Sequence, residues 1–365
     1  MLVTAVTLAG CGQRGSENPT TGASTGVTTE SHGDLTAAAE AMTEAGAVAV
    51  TVDARAGGQV QQLALGAAEA GRDAEIDDPA RVASISKSVI ATLVMQAVQD
   101  GAIALDDPVS AHLPDLLGDN GDVTVSELLS HSSGLPDYLP VLTAEPAAVL
   151  ENGGRVWTPE ELVAVALEQE WPEQPEPFGY SNTGYVVLGL ILEQVSGSSV
   201  AELAQDRVFG PLGMADTFFP TDAELPDDAL HGYLDDGETR HDVTGLDPSI
   251  LSFAASLVST SSDLSLFFAA LAGGDLVSEE SLQAMVDAGA STGYGYGLII
   301  GADPCGGTVI GQRGNGFGYH AAVTASIDGD RVVSVVWTDA MLDVASDPLL
   351  PLSNELAVTA LGSSC

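Results

Sequence analysis

Strand-forming sequence lies at both ends of this chain and helix-forming sequence fills the middle, an order that constrains the fold more than any other feature. Near the N-terminus, "AVAVTVDA" (47–54) and "GQVQQLALGAAEA" (58–70) read as two strands joined by a Gly-Gly turn. Near the C-terminus, "YGLII" (296–300), "GTVIGQ" (307–312) and "YHAAVTASI" (319–327) read as strands, and the last turns at Asp328-Gly329 into "RVVSVVWT" (331–338). Residues 36–45, and a segment from about Ser346 with Pro348 to Leu361, read as helices at the two extremes. Residues 84–101 form an apolar helix that stops near Gly101, and from about 105 to 255 the pattern stays mostly helical. Two helix starts there carry capping boxes, in which a hydroxyl and an acid satisfy each other's backbone N–H groups: Thr124 with Glu127, and Thr158 with Pro159 and Glu161. The expected class is therefore α/β (α+β). An antiparallel sheet of about five or more strands is flanked by the terminal helices, with a mostly helical region inserted. At 365 residues and 45% hydrophobic content, the chain can bury a sizeable core.

Charge narrows the partners. The formal charge is −42, from 52 acidic and 10 basic residues. Charged residues make up 17% of the chain against the usual ~25%, so the imbalance comes mainly from missing bases. A surface so poor in cations speaks against nucleic acid, whose phosphates need a basic face. Positive charge comes from nine arginines and one lysine, Lys87. That lysine lies in "RVASISKSVIATLVMQ" (81–96), three residues after Ser84, and i and i+3 share a helix face. Ser84 stands at the helix start, where backbone N–H groups are unpaired and the dipole is positive. A lysine one turn on, among Val, Ile and Ala, is desolvated; its pKa falls and it can take a proton from the serine. Ser86 sits at another spacing. The plain alternative is a capping serine and a surface lysine, but a generic surface base in this chain would be arginine.

These residues open a series of motifs that together resemble the serine β-lactamase and penicillin-binding protein family, in its class C β-lactamase and DD-carboxypeptidase branch. "ARVASISKSVIATLVMQAVQDGAIALDDPVSAHLP" is similar to that family's nucleophile helix and the connection after it. "LLSHSSGLPDY" (128–138) resembles its His-x-Ser-Gly-Leu-Pro loop, "FGYSNTGYVVLGLILEQVSG" (178–197) its Tyr-x-Asn segment, and "VFGPLGMADTFF" (208–219) the segment that follows. The resemblance runs in order from about 75 to 365. It implies an acyl-enzyme on Ser84, with Lys87 and Tyr180 sharing base duty and the Asn182 amide bonding the substrate's acyl side chain. Tyr180 and Asn182 are two apart and point the same way in an extended or turn conformation. Ser181 or Asn182 could also cap a helix there. His131 reads as a structural loop residue.

The third motif departs from the family's Lys-Thr-Gly or His-x-Gly. The matching stretch is "VIGQRGNGFGYH" (309–320), which gives Gln312, Arg313 and Gly314. Gly314 lets a substrate backbone approach closely. Gln312 can hydrogen-bond but supplies no charge where the family places a cation for a substrate carboxylate. Arg313 could supply it, although strand alternation turns 313 away from the face shared by 312 and 314. The oxyanion donors implied by the resemblance are the backbone N–H groups of Ser84 and Asn315.

Residues 1–10 end in Leu8-Ala9-Gly10 before Cys11 and resemble the end of a bacterial lipoprotein signal. That implies cleavage before Cys11, lipidation of its thiol, and a protein exported and anchored to the outer face of the bacterial cell membrane. Residues 11–34 are rich in Gly, Ser and Thr and read as a flexible tether, leaving 35–365 as the hydrolase domain. Cys305 and Cys365 remain; in an oxidising setting they are expected to pair, the alternative being two free buried thiols. No Cys/His spacing suggests a metal, and no cofactor is expected. The sequence reads as an exported serine hydrolase resembling DD-carboxypeptidases or esterases. Its substrates would be D-Ala-D-Ala peptides, β-lactams or esters, and the membrane would be met through the lipid anchor alone. The alternative is a penicillin-binding lipoprotein that acylates slowly or not at all.

Overall fold

The structure is a computed structural model that describes residues 30–172, 176–341, 348–362 and 365. Cys11 and the expected signal segment lie outside these residues. Among the described residues, seven strands form one antiparallel sheet. The N-terminal part contributes Ala49–Ala56 (β1), Gln59–Glu69 (β2) and Arg72–Asp73 (β3). The C-terminal part contributes Ile299–Ala302 (β4), Thr308–Gly316 (β5), Tyr319–Ser326 (β6) and Arg331–Thr338 (β7). The order is β3-β2-β1-β7-β6-β5-β4, so the two halves join at the centre through β1 and β7, with Val50 opposite Trp337.

Alternation gives the sheet two buried faces. On one face Val50, Val52, Val333, Val335 and Trp337 pack against Leu35, Ala39 and Met42 of the first helix, Glu30–Glu44 (α1). Leu349 and Leu356 of the last helix belong to the same cluster. On the other face Ala49, Ile310, Ala321, Val323, Val332 and Val336 belong to the larger core of the helical region. Three helices on that face matter here: Ser86–Gln99 (α2), Asn182–Ser196 (α3) and Ser261–Ala272 (α4), while the last described helix is Leu349–Gly362 (α5). Each fully buried Val, Leu or Phe contributes about 1.5–3 kcal/mol, so the two clusters hold the layers together. Both capping boxes are present, Thr124 with Glu127 and Thr158 with Glu161.

The boundaries differ from expectation in four places. α1 starts at Glu30, so the last residues of the stretch read as tether are helical. β4 begins three residues after the expected start, because Gly297 is left-handed at φ +69° and its α-carbon lies against α2, where a Cβ would meet the Lys87 carbonyl at 2.8 Å. β5 runs on to Gly316, four residues past the expected end at Gln312. The helical region also holds a short hairpin, Tyr233–Asp235 with Arg240–Asp242. Cys305, in the turn between β4 and β5, is disulfide-bonded to Cys365.

Candidate active site

Ser84 lies in one 3-10 turn, Ala83–Ile85, which leads into α2. Ala83 is buried and holds φ +46°, a conformation that costs energy for a residue with a Cβ and persists only under packing constraint. The constraint is β5, which crosses so closely that a Cβ on Gly314 would sit 2.0 Å from the Val82 carbonyl oxygen. Only glycine fits there.

Lys87 follows one turn later and is fully buried. Its Nζ donates to Asn182 Oδ1 at 2.7 Å and to the Ala254 carbonyl at 3.0 Å, and lies 3.1 Å from Ser84 Oγ. Burial lowers its pKa to about 7, against a smaller upward pull from Asp137. This set decides what the amine can do. A neutral amine spends its two N–H groups on Asn182 and Ala254, and its lone pair then falls on Ser84. Tyr180 donates its hydroxyl to Ser84 Oγ at 2.9 Å. Tyr180 is 41% exposed, yet partial burial, and then the neighbouring Tyr294, hold its pKa well above the usual tyrosine value. At neutral pH Tyr180 can therefore donate a proton and Lys87 can accept one.

Asn182 opens α3 and is buried. With Oδ1 on Lys87, its Nδ2 donates to Asp137 Oδ2 at 2.9 Å. The expected substrate-binding amide is thus engaged at both ends and orients Lys87. Asp137 also accepts from the Leu139 N–H at 3.1 Å; burial raises its pKa, against the pull of these donors and of Lys87. His131 is buried, and its Nδ1 accepts the Ser181 N–H at 3.2 Å. Burial and then Lys87 hold its pKa well below the usual histidine value, so it is a neutral ring. It packs on Tyr180 at 4.3 Å between ring centres and fixes that ring's position.

The third strand places its residues on two faces. Gln312 is buried, its Nε2 donating to Tyr294 Oη at 3.0 Å and to the Gly297 carbonyl at 3.1 Å. Its Oε1 accepts the Arg313 N–H at 3.0 Å. Gln312 is therefore bound within the protein rather than presented to a substrate. Arg313, a candidate substrate-binding residue, does not face the site: its guanidinium donates to Asn354 of α5, on the opposite face of the sheet from Ser84. Alternation, not charge, decides its direction.

β4 pairs with β5 only as far as Gly311, so one edge of β5 from Gln312 to Gly316 has no strand beside it. The Arg313 N–H meets the Gln312 side chain on that free edge, and the Asn315 N–H, two residues on, points the same way. That orientation suits an oxyanion donor. Sequence reasoning missed Asp137 and Tyr294. Asp137 stands inside the quoted loop motif; Tyr294 carries no local signal. Tyr294 contacts His131 at 4.8 Å and Phe178 at 5.6 Å between ring centres, building an aromatic wall beside Tyr180. Among the described residues, no group of three or more His, Cys, Asp or Glu side chains is gathered to hold a metal ion.

Known proteins share this arrangement's fold. The family model described as Beta-lactamase matches residues 36–353. A D-stereospecific amidohydrolase from Streptomyces sp. superposes with a TM-score of 0.77 at 31% identity, covering 84% of this chain and 94% of that one. The D-amino acid amidase from Ochrobactrum anthropi SV3 gives 0.78 at 27% identity, covering 90% and 98%. A penicillin-binding protein of Bacillus subtilis (strain 168) is 28% identical over 269 residues, 68% of this chain and 58% of that protein. The chain spans little more than half the length of the curated relatives it matches, 53% and 58% for two from that organism.

Proposed function

The chain belongs to the beta-lactamase family of serine hydrolases, and on that premise we propose that it hydrolyses amides or esters through an acyl-enzyme on Ser84. One observation carries this reading: Ser84 Oγ lies 3.1 Å from a buried amine with a pKa of about 7 and 2.9 Å from a protonated tyrosine. Lys87 takes the Ser84 proton as Oγ bonds to the substrate carbonyl carbon. The oxyanion forms against the N–H groups of Ser84 and Asn315. As the C–N or C–O bond breaks, Tyr180 gives its proton to the leaving group and is reprotonated from Lys87. Water then attacks the ester on Ser84, loses a proton to Lys87, and the acid leaves as Ser84 recovers its proton.

The third strand bears on the substrate class. With Gln312 neutral and internally bonded and Arg313 facing α5, that strand offers no cation to a carboxylate. This favours neutral amides and esters over C-terminal carboxylates, and the amidase names of two structural relatives support the same choice. The name of the Bacillus relative favours a second reading, a slowly acylated penicillin-binding protein. Incubation with a D-amino-acid amide, a nitrophenyl ester and a fluorescent penicillin, following the mass of the protein over time, tests both. Turnover of amide or ester with a transient adduct on Ser84 fits the hydrolase; a lasting penicillin adduct without turnover fits the alternative. We further propose export and lipid anchoring through Cys11, on the strength of the Leu8-Ala9-Gly10-Cys11 box and the polar stretch after it.

A further inference from the structure

The strand that carries Asn315 pairs with β6 as far as Gly316, but its front meets the Ser84 turn only through glycines. Gly314 and Gly316 carry no side chains there, and Gly314 is pressed against the Val82 carbonyl. The intervening residue, Asn315, points its side chain to the other face of the sheet, where three neighbouring strands place Asn315, His320 and Trp337 directly across from one another. His320 Nδ1 lies 2.9 Å from Asn315 Oδ1. Its ring stacks on Trp337, 5.1 Å between centres and 9° from parallel. Its Nε2 lies 3.0 Å from Asp339 Oδ2, close enough for an ion-pair contact but off the line of a hydrogen bond. His320, Trp337 and Asp339 are each at most 2% exposed. Asp339 is itself fixed, its Oδ1 accepting the Met341 N–H at 2.9 Å.

Displacing this buried histidine would give up its contact with the Asn315 amide and its stacking on Trp337, and would leave Asp339 buried with no charge partner, so the ring resists displacement. We propose that the Asp339–His320 pair is a positioning device for the oxyanion donor, holding the Asn315 backbone N–H in place from the rear of the sheet. The proposal rests on the hydrolase reading above, because it needs a reaction in which negative charge develops at that N–H. Neither His320 nor Asp339 touches substrate. They act through Asn315, whose side chain is the strand's anchor and whose N–H is its working group. Misplacing a catalytic donor by about 1 Å costs on the order of 10²-fold, and removing one outright about 10²–10³-fold.

The test uses the whole protein and starts with wild-type acylation of Ser84 by a nitrophenyl ester, read by intact mass. Its absence overturns the hydrolase reading and this inference with it. Given acylation, His320→Ala and Asn315→Ala should each slow it about 10- to 100-fold with KM little changed. Asn315→Ala keeps the backbone N–H, so its loss would come from position alone. The double variant should be no worse than the poorer single one, since both remove the same tether. Affinity for phenylboronic acid, whose tetrahedral adduct on Ser84 mimics the charged intermediate, should fall by the same factor. His320→Gln, which can still reach the amide, should recover much of the rate. Thermal melts monitor the fold; if His320→Ala does not fold, Asn315→Ala and His320→Gln decide. Normal acylation and boronate affinity in folded Asn315→Ala, or additive losses in the double variant, would overturn the proposal.

Discussion

Replacing Asp137 by asparagine should move the pH dependence of acylation downward. Activity needs neutral Lys87, so the rising limb of the wild-type profile should follow a group with a pKa of about 7. Asp137 opposes the effect of burial, because its carboxylate favours the ammonium form. The two groups are joined by the Asn182 amide, 2.9 Å from one and 2.7 Å from the other. With the amide between them, the charges stand roughly 6–7 Å apart, and at an effective dielectric of ~20 their attraction is about 2–3 kcal/mol. One pKa unit is about 1.4 kcal/mol, so the upper limit of the shift is about two units. Burial raises the pKa of Asp137 itself, which works against its charge, so the expected shift is smaller than this limit, about one unit on the Coulomb scale. The sign is fixed: without the carboxylate, Lys87 releases its proton at lower pH, and the limb moves toward about pH 6. The other titratable groups near Lys87 do not obscure it. Tyr180 and Tyr185 titrate well above the usual tyrosine value, and His131 well below the usual histidine value. The assay is kcat/KM for a neutral nitrophenyl ester from about pH 5 to 9, with Asp137→Glu as the charge-keeping control. A limb that stays in place in a folded Asp137→Asn protein would show that the Asp137–Asn182–Lys87 chain does not set the base.

Three further outcomes are expected. Lys87→Arg should lower acylation on the order of 10²–10⁴-fold without unfolding the protein, because arginine does not deprotonate; stopped-flow ester hydrolysis and a thermal melt check both halves. Gln312→Lys, which trades the inward-bonded amide for a longer, cationic side chain, should speed penicillin acylation about ten- to a hundredfold while changing neutral-ester turnover little, since an ammonium on the third strand pairs with a carboxylate that the ester lacks. Equal effects on the two substrates would remove the third strand from substrate choice. Cys11→Ser should shift the protein from the membrane fraction to the soluble fraction, or leave it unprocessed, when cells are fractionated and probed; wild-type protein found soluble with residues 1–10 intact would refute the anchor.

The sequence made the local parts of this site legible and left the long-range parts hidden. Ser84 and Lys87 follow from helix periodicity and from the oddity of a single lysine. The direction of Arg313 follows from strand alternation, which outweighed its attractive charge. Asp137 meets Asn182 across 45 residues, and no local rule links them. Tyr294 meets Gln312 across 18 residues by way of a left-handed Gly297 that also displaced the start of β4. β5 extends past Gln312 for a related reason. Its glycines lower strand propensity, but Gly314 is there because the strand passes against Val82, a tertiary demand that no residue nearby in sequence reveals.

The join between β1 and β7 has a consequence for the chain while it is being made. Each of these two strands keeps one edge bare until the other is made, and β7 begins 275 residues after β1 ends, Ala56 to Arg331. At the usual ~5–20 residues per second, the β1–β2 hairpin waits roughly 15–60 s with one edge bare. An unpaired edge of that kind invites pairing with other chains. Losing β7 would therefore split the sheet down the middle, leaving the segment that bears Ser84 without the half that carries Asn315.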